Sequence, residues 1–301
     1  MGLYAWVLLL ALSIVWGGSF FFAEIALREL GPLTIVTARV SIGALALFVY
    51  LRAIGEHLPR EPSVLAQLLI MGAINNAIPF SLLVWAQIYL TSGEAAILNA
   101  AVPLFTVLLA HWLTDDETMS ANKLIGVVVG IIGVAFLIGP QAVRGLGANL
   151  FAQLAVIAAT ISYALASIYG RRLRSLSTSV AATGMLTGST VLLVPLMLIF
   201  ESPFSHVPEI DTIGALIGLG VLSSSIAYLL YFRILAIAGS TNLMLVTLLV
   251  PVSALVLGVW ILKEEIAAQA YLGMCIIFTG LLVIDGRPVK AIVDIARQLR
   301  S

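Results

Sequence analysis

The sequence predicts an all-α integral membrane protein, with ten transmembrane helices in two inverted five-helix repeats around a central cavity. Three observations predict it. The 301 residues are 61% apolar and only 10% charged, with a mean hydropathy of +1.12; a soluble domain is about half apolar and about a quarter charged. The apolar residues gather into ten runs near membrane-spanning length. Landmarks of the first half also recur in the second at a nearly constant offset.

A membrane-crossing helix needs roughly 20 mainly apolar residues, because the hydrocarbon core is about 30 Å thick. The runs are 4–23, 33–51, 65–90, 95–113, 124–139, 149–170, 179–200, 212–232, 242–262 and 267–284. Connections such as 91–94 and 263–266 are too short to hold a soluble domain. Alternating apolar and polar strands are absent, which argues against a porin-type barrel. No Lys or Arg precedes the first run and no Ala-x-Ala site follows it, so it is expected to remain as span one rather than act as a leader. Nothing marks an organelle, and a cell inner (plasma) membrane is the expected location.

Orientation follows from the basic residues. With the N-terminus inside, the cytoplasmic side holds Arg52, Arg60, Lys123, Arg171, Arg172, Arg174, Arg233, Arg287, Lys290, Arg297 and Arg300. The opposite side holds Arg28, Arg144 and Lys263, so both termini are expected in the cytoplasm. After the last span, Val289, Ile292, Val293, Ala296 and Leu299 recur at helical spacing, with Lys290, Arg297 and Arg300 on the other side. This pattern predicts an amphipathic tail lying on anionic membrane lipid.

The internal repeat is read from spacing. Pro103 and Trp112 are nine residues apart, as are Pro251 and Trp260. Asp115-Asp116-Glu117 follows the first pair and Lys263-Glu264-Glu265 the second. Gly126, Gly133 and Gly139 match Gly273, Gly280 and Gly286 at offset 147, Trp16 matches Tyr163 at 147, and Gly93 matches Gly239 at 146. Two halves are expected, 1–145 and 146–285, followed by the tail 286–301. Because five spans is an odd number, the halves insert with opposite orientation, as in secondary transporters with a substrate site near mid-bilayer.

Polar groups inside the spans point to chemistry. The 15 carboxylates fall in loops or at helix ends, Glu24 and Glu94 coming closest to a span interior. A proton-coupled exporter of lipophilic cations would want a central carboxylate, so cationic drugs are poor candidate substrates. A proline frees the carbonyl four residues earlier and kinks the helix. Pro79 then frees Asn75, Pro103 frees Asn99 and Pro251 frees Thr247, each a polar residue. Broken backbone at membrane depth is tolerated where it lines a cavity or is buried in protein. Asn75, Asn76, Asn99, Thr247 and the three prolines are therefore candidate substrate-binding positions, with packing as the bland alternative. Ser224, in the run Ser223-Ser224-Ser225, and Tyr228 in the same span are further candidates. Trp16 and Tyr163 offer aromatic walls; Tyr4, Trp6, Trp112 and Trp260 sit near span ends and read as interface-belt residues.

Arg39 is the one basic residue well inside a span, about 9 Å past Leu33 at the helical rise. It either pairs with a substrate carboxylate or braces the bundle against helix-end carbonyls and an acidic neighbour, and the sequence favours bracing because such a residue can snorkel outward. A structural or gating role is therefore expected. Glycine pairs four apart, Gly126/Gly130, Gly184/Gly188 and Gly214/Gly218, predict close helix contacts. Cys275, the only cysteine, is expected to be buried and inert.

Several function classes are argued against. Zero net charge from 15 basic and 15 acidic residues leaves no nucleic-acid surface. His57, His111 and His206 are scattered, and no metalloprotease, nucleophile-elbow or phosphate-loop motif occurs. No cofactor, metal, catalytic residue or direct use of ATP is expected.

Trp16-Gly17-Gly18-Ser19-Phe20, Pro32 with Arg39 seven residues on, and the Pro103 and Pro251 helices with their acidic clusters and Gly-rich following spans resemble the drug/metabolite transporter superfamily, EamA-type. Within it the chain is most similar to the YddG-type amino-acid exporters. The resemblance covers nearly the whole chain and implies a basket of helices around a cavity. It also implies export of aromatic or other neutral amino acids as small-molecule substrates. The residues agree: amides, hydroxyls and aromatics without a central carboxylate suit a neutral zwitterion. Arg39 has no counterpart in span seven, so a symmetric role for it is not implied. The alternatives are a carrier of nucleotide sugars, which would want several central basic residues, and a membrane-embedded enzyme or scaffold.

Overall fold

The structure, a computed structural model, describes residues 2–114, 119–138, 148–205, 207–243 and 245–286. The expected tail, the acidic triplet Asp115-Asp116-Glu117, Gly139, Arg144 and His206 lie outside the described residues. Among the described residues there are ten apolar helices. They are α1 (Leu3–Ala26), α2 (Pro32–Ala53), α3 (Pro62–Ala86), α4 (Ser92–Leu113), α5 (Ala121–Ile138), α6 (Asn149–Leu173), α7 (Thr178–Phe200), α8 (Ile210–Gly239), α9 (Val246–Leu262) and α10 (Ala268–Asp285). Nine reach 18 residues or more; α9 is shorter, preceded by the break at Gly239, whose φ of 77° is a conformation glycine adopts without strain.

Helix packing obeys the repeat. α1 packs on α8 and α9, as α6 packs on α3 and α4; α2 packs on α8, as α7 packs on α3. The remaining major contacts, α2 with α7, α4 with α9 and α5 with α10, pair each helix with its own repeat equivalent. Exchanging the halves therefore leaves the contact pattern in place, as an inverted repeat about a pseudo-two-fold axis requires.

The repeated glycines are what bring α5 and α10 together. A Cβ on Gly126 would lie 2.5 Å from the Gly280 carbonyl, and one on Gly280 would lie 2.6 Å from the Gly126 carbonyl. Gly133 likewise meets the Ile277 backbone nitrogen at 2.7 Å. Gly184 and Gly188 admit Leu68 and Leu69 of α3 in the same way. Gly214 does not fit the expectation, since a Cβ there would meet nothing within 4 Å.

Carboxylates hold the helix starts. Four N–H groups at each helix N-terminus lack intrahelical partners, and an anion placed there also meets the positive end of the dipole. At α2, Glu201 accepts from the Leu33 and Thr34 N–H groups at 2.9 and 2.8 Å and from the Thr34 hydroxyl at 2.7 Å. At the opposite end of the bundle, the Ser177 hydroxyl before α7 donates to Glu56 at 2.6 Å. Glu56 and Glu201 sit in the equivalent α2–α3 and α7–α8 connections, so the repeat supplies one carboxylate clasp at each end. Glu264 does the same for α4, accepting from the Ser92 N–H at 2.9 Å, its hydroxyl at 2.9 Å and the Gly93 N–H at 3.3 Å. Ser92 is fully buried, so Glu264→Ala strands buried donors at a cost of about 1–3 kcal/mol. A fall in the thermal unfolding midpoint of the purified protein is the expected readout.

The outer surface is apolar, as lipid contact demands. Trp112 and Trp260, at the final turns of repeat-related α4 and α9 and therefore at opposite ends of the bundle, are 75% and 73% exposed. Tyr4 and Trp6 are exposed at the start of α1. Cys275 departs from expectation: it lies on the exposed face of α10, because an apolar run inside a bilayer buries its residues against lipid as well as against protein. A nitroxide attached to Cys275 in vesicles should collide readily with oxygen and rarely with a water-soluble nickel chelate.

Candidate functional site

The site begins with a defect in α3. Residues Ala73–Ala77 wind as a π-helix, and the Ile78 N–H donates to the carbonyl of Ala73, five residues back. In that register Pro79, which has no N–H, stands opposite the carbonyl of Ile74 rather than that of Asn75. The Ile74 carbonyl instead accepts from the Ser162 hydroxyl of α6 at 2.6 Å. The π register thus frees the Ile74 carbonyl, which is satisfied across helices. The extra residue in the turn places Asn75 and Asn76 together at mid-depth in α3.

Around this bulge a hydrogen-bonded cluster closes. Asn75 Nδ2 donates to the Tyr228 hydroxyl at 3.1 Å and to Asn76 Oδ1 at 3.3 Å. The Tyr228 hydroxyl donates to Asn76 Oδ1 at 3.0 Å. Asn76 Nδ2 donates to Ser189 of α7 at 3.2 Å, and Ser189 donates onward to the carbonyls of Gly72 and Met185. Asn76 is fully buried whereas Asn75 is half-buried, so Asn76 anchors the cluster and Asn75 presents it.

Repeat-related α8 carries its own π segment, Gly218–Ile226. At the offset that relates Gly93 to Gly239, Ser225 stands where α3 has Pro79. The Ser224 and Ser225 hydroxyls donate to the carbonyls of Leu219 and Gly220, five residues back, at 3.0 Å each. Ser223 and Ser225 also donate to the carbonyls of Val15 in α1 and Gly43 in α2. The three serines are buried; they stitch α8 to its neighbours, and Ser224 takes part in the site by receiving Arg39 Nε at 3.1 Å.

Arg39 does not snorkel and has no acidic neighbour among the described residues. It is 7% exposed, its Nη2 reaches the Ser223 carbonyl at 3.4 Å, and its guanidinium stands 3.8 Å over the centroid of the Phe80 ring. Phe80 meets Tyr163 of α6 with ring centroids 6.4 Å apart. Tyr163 packs against both hydrophobic cores of the bundle and so lies on the boundary between them. From Tyr228 an aromatic series runs through Phe232 and Tyr231 to Trp16 of α1, at centroid distances of 6.4, 5.2 and 5.8 Å. Trp16 and Tyr163 are both half-buried.

The remaining candidates form a second group, on α4 and α9. α4 breaks at Ala100 and Ala101, and Pro103 starts its second segment. Asn99, just before the break, has its Oδ1 buried without a hydrogen-bond partner among the described residues. Pro251 instead lies buried within the continuous helical stretch Val246–Leu257, with Thr247 half-buried one turn earlier. The two prolines are thus equivalent in sequence but not in local structure.

Sequence spacing did not single out Phe80, Ser162, Ser189 or Tyr231. Ser189 follows the Gly184/Gly188 pair, and Ser162 adjoins Tyr163, so each had a flag beside it. A groove of about 270 Å³ between α3 and α7, lined by Leu58, Leu65, Leu69, Thr187 and Val191 among others, is apolar and contains none of the cluster.

Comparisons with known proteins agree with this architecture. The EamA-like transporter family matches residues 3–139 and 150–285. An uncharacterized transporter of Bacillus subtilis (strain 168), YoaV, is 24% identical over 277 residues, 91% of this chain and 94% of that protein. The uncharacterized inner membrane transporter YedA of Escherichia coli (strain K12) is 27% identical, covering 95% and 93%. A probable amino-acid metabolite efflux pump of the same strain is 25% identical, covering 92% and 93%. A solved crystal structure superposes with a TM-score of 0.66 at 19% identity, over 93% of this chain and 97% of that one, and so shares the fold. With family matches in both halves and ten apolar helices packed as an inverted repeat, this chain is a membrane transporter of the EamA-like family.

Proposed function

We propose that the chain exports small neutral amino acids, aromatic ones among them, across the inner membrane by alternating access. Its halves, divided near residue 145, rock about the mid-depth cluster, and both termini face the cytoplasm. One observation carries the reading. Asn75, Asn76 and Tyr228 form a polar, carboxylate-free cluster at the π bulge of α3, beside an aromatic series that reaches Trp16. Amides donate and accept, so they serve both ends of a zwitterion, and aromatic faces serve its side chain. The family places the chain among transporters, and one relative carries the name of an amino-acid metabolite efflux pump. In this reading Asn75, Tyr163, Tyr228 and Trp16 touch substrate, Asn76 holds Asn75 and Tyr228 in place, and Ser224 holds Arg39. Pro79 sets the bulge. Asn99, Pro103, Thr247 and Pro251 form the part of the path between α4 and α9, where the Asn99 oxygen has no partner among the described residues.

The test is counterflow. Proteoliposomes preloaded with unlabelled threonine, methionine, leucine or tryptophan should transiently accumulate the same labelled amino acid, above protein-free liposomes. Folded protein that accumulates none of the four contradicts the amino-acid assignment.

A further inference from the structure

Arg39 is the one buried charge among the described residues, and the neutral groups it braces leave that charge uncompensated. It lies about 10 Å along α2 from its first residue at the helical rise and is 7% exposed. Every partner it has is neutral: the Ser224 hydroxyl, the Ser223 carbonyl and the Phe80 ring. Among the described residues no carboxylate pairs with it, and beyond the Phe80 ring stands the phenol of Tyr163. A guanidinium keeps its proton under all ordinary conditions, so the full positive charge is buried uncompensated. Such a charge inside a membrane protein is costly, and charges kept there mark substrate and ion pathways.

We propose that Arg39 is the carboxylate anchor of the transport site, which makes the substrate class α-amino carboxylates. The inference rests on the transport reading above and deepens it. Tyr228 is the link between the two halves of the site: it follows Ser224, which receives Arg39, by four residues on α8, and it hydrogen-bonds both Asn75 and Asn76. A zwitterion set across it places its carboxylate on the guanidinium and its ammonium toward the Asn75 side-chain oxygen and the phenol face. Phe80 and Ser224 hold the guanidinium in place before substrate arrives, so the anchor is preorganised. Arg39 has no equivalent in α7, so the substrate is held in one polarity throughout the cycle.

The experiment compares each amino acid with its own carboxamide, which keeps the side chain and amine but loses the negative charge. Counterflow is measured with leucine, leucinamide, tryptophan and tryptophanamide, using wild type, Arg39→Gln and Ser224→Ala of matched melting temperature. The wild type should carry the acids at least tenfold faster than the amides. Arg39→Gln should lose at least tenfold on the acids while carrying the amides as fast as wild type or faster. Ser224→Ala keeps the charge but loosens it, and should raise the half-saturation concentration for the acids severalfold without changing that for the amides. Should Arg39→Gln not fold, the wild-type ratio and Ser224→Ala decide. A wild type that carries acids and amides alike overturns the anchor and leaves the transport reading standing. An Arg39→Gln that loses both alike, or a Ser224→Ala unchanged toward acids, also overturns it. Wild-type counterflow of none of the four probes overturns both readings together.

Discussion

Asn75→Ala should reduce the initial rate of amino-acid counterflow roughly five- to thirtyfold while leaving the melting temperature within about 3 °C of wild type. Asn75 is half-buried and gives its Nδ2 protons to Tyr228 and Asn76, so its loss leaves no buried donor stranded. What it removes is a hydrogen-bonding face turned toward the substrate. One to two such bonds at about 1 kcal/mol each correspond to roughly a five- to thirtyfold loss, since about 1.4 kcal/mol is a factor of ten. Asn76→Ala should behave differently. Asn76 is fully buried and accepts from Tyr228 while donating to Ser189, so truncation also costs the fold, by about 1–3 kcal/mol. Thermal unfolding and transport, measured on the same two preparations, separate the presenting amide from the anchoring one. Equal melting and equal transport in both variants would remove the distinction.

Gly280→Val should prevent accumulation of folded protein. Its Cβ alone would lie 2.6 Å from the Gly126 carbonyl, 2.6 Å from the Gly130 nitrogen and 2.9 Å from the Gly130 Cα. These are backbone atoms of α5, which cannot rotate away as a side chain can. Overpacking a tight contact costs about 1–3 kcal/mol or more, and here it separates the whole α5–α10 pair. Gly214→Ala is the matched control. It belongs to a pair with the same four-residue spacing, yet a Cβ there meets nothing within 4 Å. Alanine in a helix is favoured over glycine by about 0.5–1 kcal/mol, so this variant should hold or slightly raise the melting temperature. Size-exclusion profiles and melting curves of the two variants check the pair of outcomes.

The bundle was legible because a bilayer imposes length and composition on every span, and because the repeat leaves a fixed offset between equivalent glycines of α5 and α10. The repeat equates Gly126 with Gly273 and Gly133 with Gly280, whereas the fold places Gly126 against Gly280 and Gly133 against Gly273. What spacing conveys less well is direction. Arg39 was placed at the right depth, but depth does not say whether a long side chain turns toward water or toward Phe80. Cys275 lay in an apolar run, and apolarity in a membrane helix is common to its lipid face and its protein face. Pro79 announced a defect in α3, yet the π register there also frees the Ile74 carbonyl, which the proline rule does not name. Its counterpart in α8 is made by serines, which no proline rule would find. The carboxylate clasps of Glu56 and Glu201 were invisible because they join residues over 120 positions apart.

The central claim is that substrate sits at the π bulge of α3. An experimentally determined structure of the protein with the amino acid that gives the strongest counterflow tests it most directly. The account predicts substrate density within hydrogen-bonding distance of Asn75, bordered by Tyr228, with its carboxylate against Arg39. Density confined to the α4–α9 contact beside Asn99, or to the apolar groove between α3 and α7, would contradict it.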